Sequence, residues 1–442
     1  MKIRLMRFFN RTGLPLLSLI VILLGIGGIL QAADLPKLID KSNCAQFKDM
    51  LNPALYSAVE RGGWVVTPGK INFDYKLPQS FLEASSKNEG KFGVNPNGNL
   101  IEKKTNKIVT HDFYGVPFPK FDPKDPMAGD KIMWNFYFAQ DRMMGTKQKF
   151  IYAFVNTNGK ERELASIWYN LFMYGRPPGQ EIPNPDNVLF YELTNMTEPM
   201  SMKGTNTLAT IYIDDRPDIT FAYVPAIRRV RQTASTSRSD PYMGSDGWMD
   251  LSNGWAGKNS SMKWKCVGEK TILVGFTSPD MIPVEDMPDG SITIKYPYSD
   301  HSKLNYEIPG WTGDSWAPAP GTVTYVPRKV WVIEQMPKDP YYSWGLHIGY
   351  VDQETYGIWY KEVYDKSGKF RTWKCNFRHY NESPSGQNNI GVQYDVSWNI
   401  DEVVHHASVS GTVPYSESRL FMPASKIDPD FFTKQNFMQL SK

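Results

Sequence analysis

Hydrophobic spacing divides the chain into three unequal stretches. An almost uninterrupted apolar run from Gly13 to Leu30 comes first. A mixed region with helical signals follows: Asn43 can cap a helix carrying Phe47, Met50 and Leu51, and Asn52-Pro53 opens a second that Gly62 and Gly63 stop. Asn95-Pro96-Asn97-Gly98-Asn99 reads as a hairpin turn, 117–126 as a Pro-rich loop, and 130–143 as a helix with Ile132, Met133, Phe136 and Tyr137 on its apolar stripe. From residue 147 onward the pattern is one of strands and turns. Runs at 149–156 and 161–172 flank Asn158-Gly159, a strong hairpin signal, and further strands are predicted at 187–197, 204–214, 218–224, 226–232, 262–276 and 291–297. Between them 239–259, rich in Gly, Ser and Asp, reads as a long structured loop. The clearest signal is a meander at 322–335, 344–351, 356–364 and 370–380, with short turns such as Asp352-Gln353-Glu354 and Lys366-Ser367-Gly368, before a last strand at 391–399 and a polar tail. Neighbours joined by such turns pair antiparallel in one continuous curved sheet, so the predicted class is mainly β with a few helices.

The first stretch sets the compartment. Lys2, Arg4, Arg7 and Arg11 precede the apolar run, and no acid occurs before Asp34. That arrangement is an export signal, with Ala32 and Ala33 as small residues for signal peptidase and Gly25, Gly27 and Gly28 breaking the helix. Residues 1–33 are predicted to be a cleaved signal; an uncleaved anchor is the alternative, because the run just reaches the length that spans a bilayer. Either way the cationic end stays inside and the rest is delivered to the periplasm of a Gram-negative cell. The predicted organisation is then 34–110, helical segment and hairpin; 111–425, the sheet domain; and 426–442, a tail. Removing the four basic residues turns the net charge of +3 into about −1. A near-neutral surface has no general pull on phosphate backbones, which argues against nucleic acid as a partner. Of the three cysteines, Cys266 and Cys375 each end a Trp-Lys-Cys triplet in a strand and form the favoured disulfide pair; two unlinked buried thiols are the alternative.

Little in the sequence points to catalysis. His405-His406 are adjacent while His111, His301, His347 and His379 are isolated, so no zinc spacing exists, and there is no nucleophile elbow, P-loop or dinucleotide fingerprint. Asp214-Asp215 and Asp246/Asp250 resemble paired glycosidase carboxylates only in number; Asp in such turns usually caps or bends the chain. The expectation is a protein that is not an enzyme and needs neither metal nor cofactor. Thirteen Trp, twenty-four Tyr and twenty-three Phe instead suggest a large apolar interior or a stacking surface for carbohydrate. The run Ile227-Arg228-Arg229-Val230-Arg231 enters the loop at Gly244-Ser245-Asp246-Gly247. Arg228, Arg229 and Arg231 can bind an anionic head group, or pair with the Asp-rich loop and hold Ser245 and Asp246 over the sheet.

These two segments resemble the signature of the domain-of-unknown-function 1329 family and of periplasmic carriers similar to LolA and LolB. Tyr114-Gly115-Val116-Pro117-Phe118, Met133-Trp134-Asn135, Trp264-Lys265-Cys266-Val267-Gly268, Arg328-Lys329-Val330-Trp331-Val332-Ile333-Glu334 and Tyr350-Val351-Asp352 agree in order, so the resemblance covers about 111 to 380. The helical opening from Leu35 to Gly62 and the tail depart from that pattern. The resemblance implies a half-open antiparallel β-barrel with helices across its mouth. It also implies occurrence beside lipid-exporting inner-membrane transporters of the resistance-nodulation-division or MMPL type and an outer-membrane partner, with only transient membrane contact. A hydrophobic or lipid ligand fits the physics, since an acyl chain of about sixteen carbons costs roughly 12 kcal/mol to expose to water. The helix with Trp134, Phe136 and Tyr137 is then a lid or plug for an apolar hollow, or simply core. A protein-interaction or envelope-stress module and a carbohydrate-active protein are the competing readings.

Overall fold

A computed structural model describes residues 35–139, 145–294, 304–381, 391–412, 422–423 and 425–440, so the expected export signal at 1–33 lies outside the described residues. A 3₁₀ turn at Cys44–Met50 leads into α1 (Pro53–Glu60). Asn52 caps α1, its Oδ1 accepting from the Leu55 N–H at 2.7 Å, and Pro53 supplies a preset φ at the first helical position. α2 (Gln79–Ser86) is not legible in the sequence, because only Phe81 and Ser85 are buried on it and the apolar stripe is too short to show a period. β1 (Phe92–Val94), β2 (Leu100–Glu102) and β3 (Lys107–Ile108) form a small sheet around the anticipated 95–99 turn. α3 (Ala128–Ala139) follows, largely within the predicted helix.

The sheet then builds in chain order from β4 (Gly145–Asn156), β5 (Gly159–Phe172), β6 (Val188–Glu198), β7 (Asn206–Tyr212), β8 (Ile219–Val224), β9 (Arg229–Thr233) and β10 (Met262–Phe276). A separate ribbon of β11 (Val284–Asp286) and β12 (Ile292–Ile294) interrupts it. It resumes with β13 (Thr324–Pro337), β14 (His347–Asp352), β15 (Ile358–Tyr364), β16 (Phe370–Asn381), β17 (Gly391–Asp401) and β18 (His406–Thr412), and α4 (Lys434–Gln439) follows near the end. One sheet of thirteen strands results, ordered β10-β13-β14-β15-β16-β17-β18-β4-β5-β6-β7-β8-β9, with antiparallel neighbours throughout and one parallel contact where Phe276 of β10 meets Arg378 of β16. β18 lies within the predicted sheet domain but beyond its last predicted strand; its Ser408 and Ser410 alternate with Ala407 and Val409 and give too weak an apolar signal on their own.

The curvature follows from what α3 touches. A Cβ on Gly129 would lie 2.6 Å from the Lys265 backbone nitrogen, so the helix backbone rests on β10. Its Tyr137 ring is 6.2 Å from Phe190 on β6. β10 and β6 stand first and tenth in the sheet order, so the sheet wraps around the helix as a half-open barrel. The opposite face is also covered. Trp64 packs between Trp373 and Trp398, with centroids at 5.5 and 6.4 Å, and donates to the Tyr325 hydroxyl at 3.0 Å. Ala54 of α1 donates its backbone N–H to the buried Glu362 carboxylate at 3.2 Å.

Two of the sequence segments behind the family resemblance lock together here. Arg328 on β13 binds Asp352 at the end of β14 through two hydrogen bonds of 2.9 Å. Asn135 on α3 likewise accepts from the Phe118 N–H at 2.9 Å and donates to the Phe118 carbonyl at 2.7 Å.

The favoured disulfide is corrected: Cys44, Cys266 and Cys375 are all free thiols. The register explains why. Cys266 lies ten residues before the Phe276–Arg378 contact and Cys375 only three, an offset of about 20 Å along the strands, whereas a disulfide needs Cα atoms within roughly 7 Å. Among the described residues no helix is long and apolar enough to cross a membrane.

Candidate functional site

The inner face of the barrel carries alternating polar residues that would read as solvent-facing in a one-sided sheet. One cross-strand row runs Lys361, Lys374, Asn399, Ser408 and Phe154 over β15, β16, β17, β18 and β4. The next row runs Asn376, Ser397, Ser410 and Tyr152. Register partners share a face. Lys361, Lys374, Asn376, Ser397, Ser408 and Ser410 are all buried, because the loop between β9 and β10 lies across them.

That loop is a chain of short 3₁₀ turns at Ser235–Ser239, Tyr242–Gly244, Met249–Gly254 and Asn259–Ser261. Inside the loop, Arg238 and Asp250 form a buried ion pair at 2.6 Å, and Arg238 donates to the Ala256 carbonyl at 2.8 Å. Trp248 stacks on Trp344 with centroids 4.7 Å apart. Lys361 donates to the Gly254 carbonyl at 2.8 Å. Gly254 has φ +93°, and a Cβ there would meet Ile358 at 2.7 Å, so both conformation and space require glycine. At the other end the Asp246 carboxylate accepts from the Ser408 hydroxyl at 2.6 Å and pairs with His406 Nδ1 at 2.7 Å, while Glu161 lies 3.4 Å from His406 Nε2. The hydrogen bond to Asp246 outweighs partial burial and raises the His406 pKa above the ordinary imidazole value.

Between loop and sheet a cavity remains in two chambers, each of about 50 Å³. Phe136, Phe150, Phe172, Phe190, Trp255 and Gln148 line the first, and Lys374, Ser397, Asn399, Ser408, Ser410 and Tyr242 the second. Trp168, Glu192, Ser252 and Asn253 border both. Rings and apolar side chains thus line both chambers, Tyr152, Trp248, Met249 and Leu251 among them in the second, and what sets the second apart is the buried Lys374 with the hydroxyl and amide groups of β17 and β18. Lys361 and Lys374 are both buried, and burial pulls each down to about 7. Deeper on the same face His347 and Gln335 oppose each other in register, wholly buried, with no side-chain hydrogen-bond partner among the described residues. Burial holds the His347 pKa well below its ordinary value.

The residues singled out from sequence fall in three places. Phe136 and Tyr137 line the first chamber, while Trp134 is turned away, donating to the Gly98 carbonyl at 3.0 Å. Every residue of α3 except Lys131 is buried and its Gly129 abuts β10, so the helix is packed into the core rather than laid over a mouth. Ser245 lines the second chamber and Asp246 latches the loop to β18, so the 239–259 segment is the element lying over the site. Arg228, Arg229 and Arg231 are elsewhere: exposed, Arg229 and Arg231 on the outermost strand and Arg228 just before it, without an ion pair to the Asp-rich loop among the described residues. Arg228 precedes the strand in a left-handed conformation, φ +48°, instead of alternating with its neighbours. The imagined carboxylate pairs are engaged as structural partners, Asp214 by Arg216 at 2.7 Å, Asp246 by His406 and Asp250 by Arg238. Among the described residues no grouping of His, Cys, Asp and Glu is arranged to hold a metal. A wider cleft of about 400 Å³ opens on the far side of the loop, where Lys258 faces Asp218 at 3.9 Å and burial pushes the Asp218 carboxyl up to about 6. Sequence reasoning misses Lys361, Lys374, His406 and the serines of β17 and β18, since alternation alone cannot say that the polar side of a strand faces inward.

A model of the protein family of unknown function DUF1329 matches residues 38–437. The chain belongs to the DUF1329 family. The matched span takes in the N-terminal helical opening and most of the tail, so both segments fall within the family although they carry none of the shared motifs. Among solved structures, a DUF1329 protein of Desulfovibrio piger is 12% identical with a TM-score of 0.47, covering 72% of this chain and 100% of its own. A Vibrio parahaemolyticus domain described as a putative outer membrane lipoprotein-sorting protein domain is 14% identical with a TM-score of 0.44, covering 69% and 97%. A LolA superfamily protein of Nitrosomonas europaea is 12% identical with a TM-score of 0.38, covering 68% and 97%. None of the curated proteins matches the chain.

Proposed function

We propose that this DUF1329 protein is a non-enzymatic periplasmic carrier that shelters an amphiphile between the inner face of its half-barrel and the 239–259 loop. The observation that supports this reading is the two-chambered cavity, lined by apolar side chains throughout and carrying in its second chamber the buried Lys374 and the hydroxyls of β17 and β18. Such a lining suits a molecule with an apolar body and a polar head, which falls within the lipid or other hydrophobic ligand expected from the sequence. Burying the apolar part contributes about 25 cal/mol per Å², enough to draw a long chain out of water. The loop is the lid in this reading. Transfer between an inner-membrane transporter of the resistance-nodulation-division or MMPL type and an outer-membrane protein is the role such a carrier would serve. Native mass spectrometry and organic extraction of the purified protein test it, with a co-purifying amphiphile expected. A protein that comes through both clean, and also ignores fluorescent fatty acids, would sink the proposal.

A further inference from the structure

The second chamber holds a buried lysine that no carboxylate pairs with directly among the described residues. Lys374 is 3% exposed, and its ammonium donates to the Ser397 hydroxyl and, at 3.2 Å, to the Asn399 carboxamide oxygen. Both partners are neutral, and among the described residues it forms no ion pair. The charged groups around it mostly compound the problem. Its register partner Lys361 is a second buried lysine, and Arg378 follows on the same strand. Asp250 lies on the Lys361 side of the pair, and Glu192 borders the chamber from β6. An ammonium removed from water and left with two neutral acceptors is costly to keep charged, and the nearby hydroxyls are turned to other acceptors, Ser408 to the Asp246 carboxylate at 2.6 Å and Ser410 to the Ser397 carbonyl at 3.4 Å. Ser408 and Ser410 line the same chamber. A cation among hydroxyl and amide groups, opening into a cavity, is a receptor for an anion.

Resting on the carrier reading, we infer that the cargo bears an anionic head group, a carboxylate or a phosphate, which sits on the Lys374 ammonium with the hydroxyls of β17 and β18 around it while its apolar body extends toward Trp168 and the first chamber. The head group supplies the missing charge and makes the ammonium stable. Burial brings the Lys374 pKa down to about 7, so the site gains its positive charge around neutral pH and an anion binds more tightly on the acidic side.

The test compares hexadecanoate, hexadecyl phosphate and hexadecan-1-ol, by competition against a fluorescent fatty acid, on the wild-type protein and on Lys374→Met and Lys374→Arg. Wild type should bind at least one of the two anions roughly tenfold to a hundredfold more tightly than the alcohol near pH 6, with the margin shrinking toward pH 9. Which anion wins separates a carboxylate cargo from a phosphate one. Lys374→Met should lose the preference and bind the two anions no more tightly than the alcohol, and Lys374→Arg should keep the preference. Equal affinity of wild type for acids and alcohol, or a preference that survives in Lys374→Met, overturns this inference alone. Binding of none of the three overturns the carrier reading as well.

Discussion

Five donors converge on the fully buried Asp352 carboxylate: the Arg328 Nε and Nη2, the Trp359 ring nitrogen, and the backbone N–H groups of Glu354 and Thr355, all at 2.9 Å. Burial alone would push this group up, but the Arg328 guanidinium outweighs it and the pKa is lowered. A carboxylate with a depressed folded pKa stabilises the protein above its unfolded value near 4 and loses that contribution as pH falls through the folded value. Asp352→Ala leaves the Trp359, Glu354 and Thr355 N–H groups without their acceptor and Arg328 with only the exposed Glu354 carboxylate at 2.7 Å, and a loss of about 3 kcal/mol is expected from urea denaturation. The two lysines of the inner face act with opposite sign. Lys361 and Lys374 are pulled to about 7 from 10.5, so over that window the unfolded chain binds protons that the folded chain does not. Their penalty is complete below about pH 7 and fades toward pH 10.5. This contribution to stability should therefore rise across that range. Lys374→Met should flatten the slope of the urea midpoint against pH; an unchanged slope would show that Lys374 is not depressed.

At the scale of elements, strands are legible wherever their apolar face is regular. Met262–Phe276 emerges with the predicted bounds, and the four meander strands shift by only a few residues. What escapes is orientation. Thr372, Lys374 and Asn376 alternate with Trp373, Cys375 and Phe377, a pattern that fits water on one side, yet both sides are buried. The loop that covers the polar side lies more than a hundred residues earlier in sequence, and no local pattern announces the pairing of Asp246 with His406 and Ser408. That pairing gives the loop a pH dependence of its own. His406 faces Asp246 and Glu161, with Phe154 against its ring, and its raised pKa means that the charged latch is complete below the ordinary imidazole value of about 6.5 and is lost as pH climbs past the folded value. Hydrogen exchange of the 242–256 amides, corrected for intrinsic rates, should show less protection at pH 8 than at pH 6. His406→Gln should exchange alike at both values, and a wild-type loop indifferent to pH would remove the latch from the mechanism.

On the scale of the whole molecule, volume is the constraint that makes the loop matter. Ligand pockets for drug-sized molecules occupy roughly 300–1,000 Å³, whereas each chamber here offers about 50 Å³. A sixteen-carbon amphiphile does not fit beneath the loop as it lies, and α3 cannot make room, because its backbone is pressed against β10 at Gly129. The loop is joined to the inner face by individual polar contacts and stacked rings, which can separate in succession, so loading requires it to lift. Tying it down tests this without disturbing the cavity's first chamber. A Cβ on Gly247 would lie 2.9 Å from Asn399 Cγ, close enough for a Gly247→Cys, Asn399→Cys pair to bridge loop and β17. Cys266, the only one of the three native thiols not buried, is changed to Ser in the same background so that it does not compete. Oxidation of this variant should slow uptake of a fluorescent fatty acid by about tenfold or more, since a required opening limits the association rate, and reduction should restore it. If the oxidised protein loads as fast as the reduced one, cargo enters without lifting the loop, and the lid must be sought in another element.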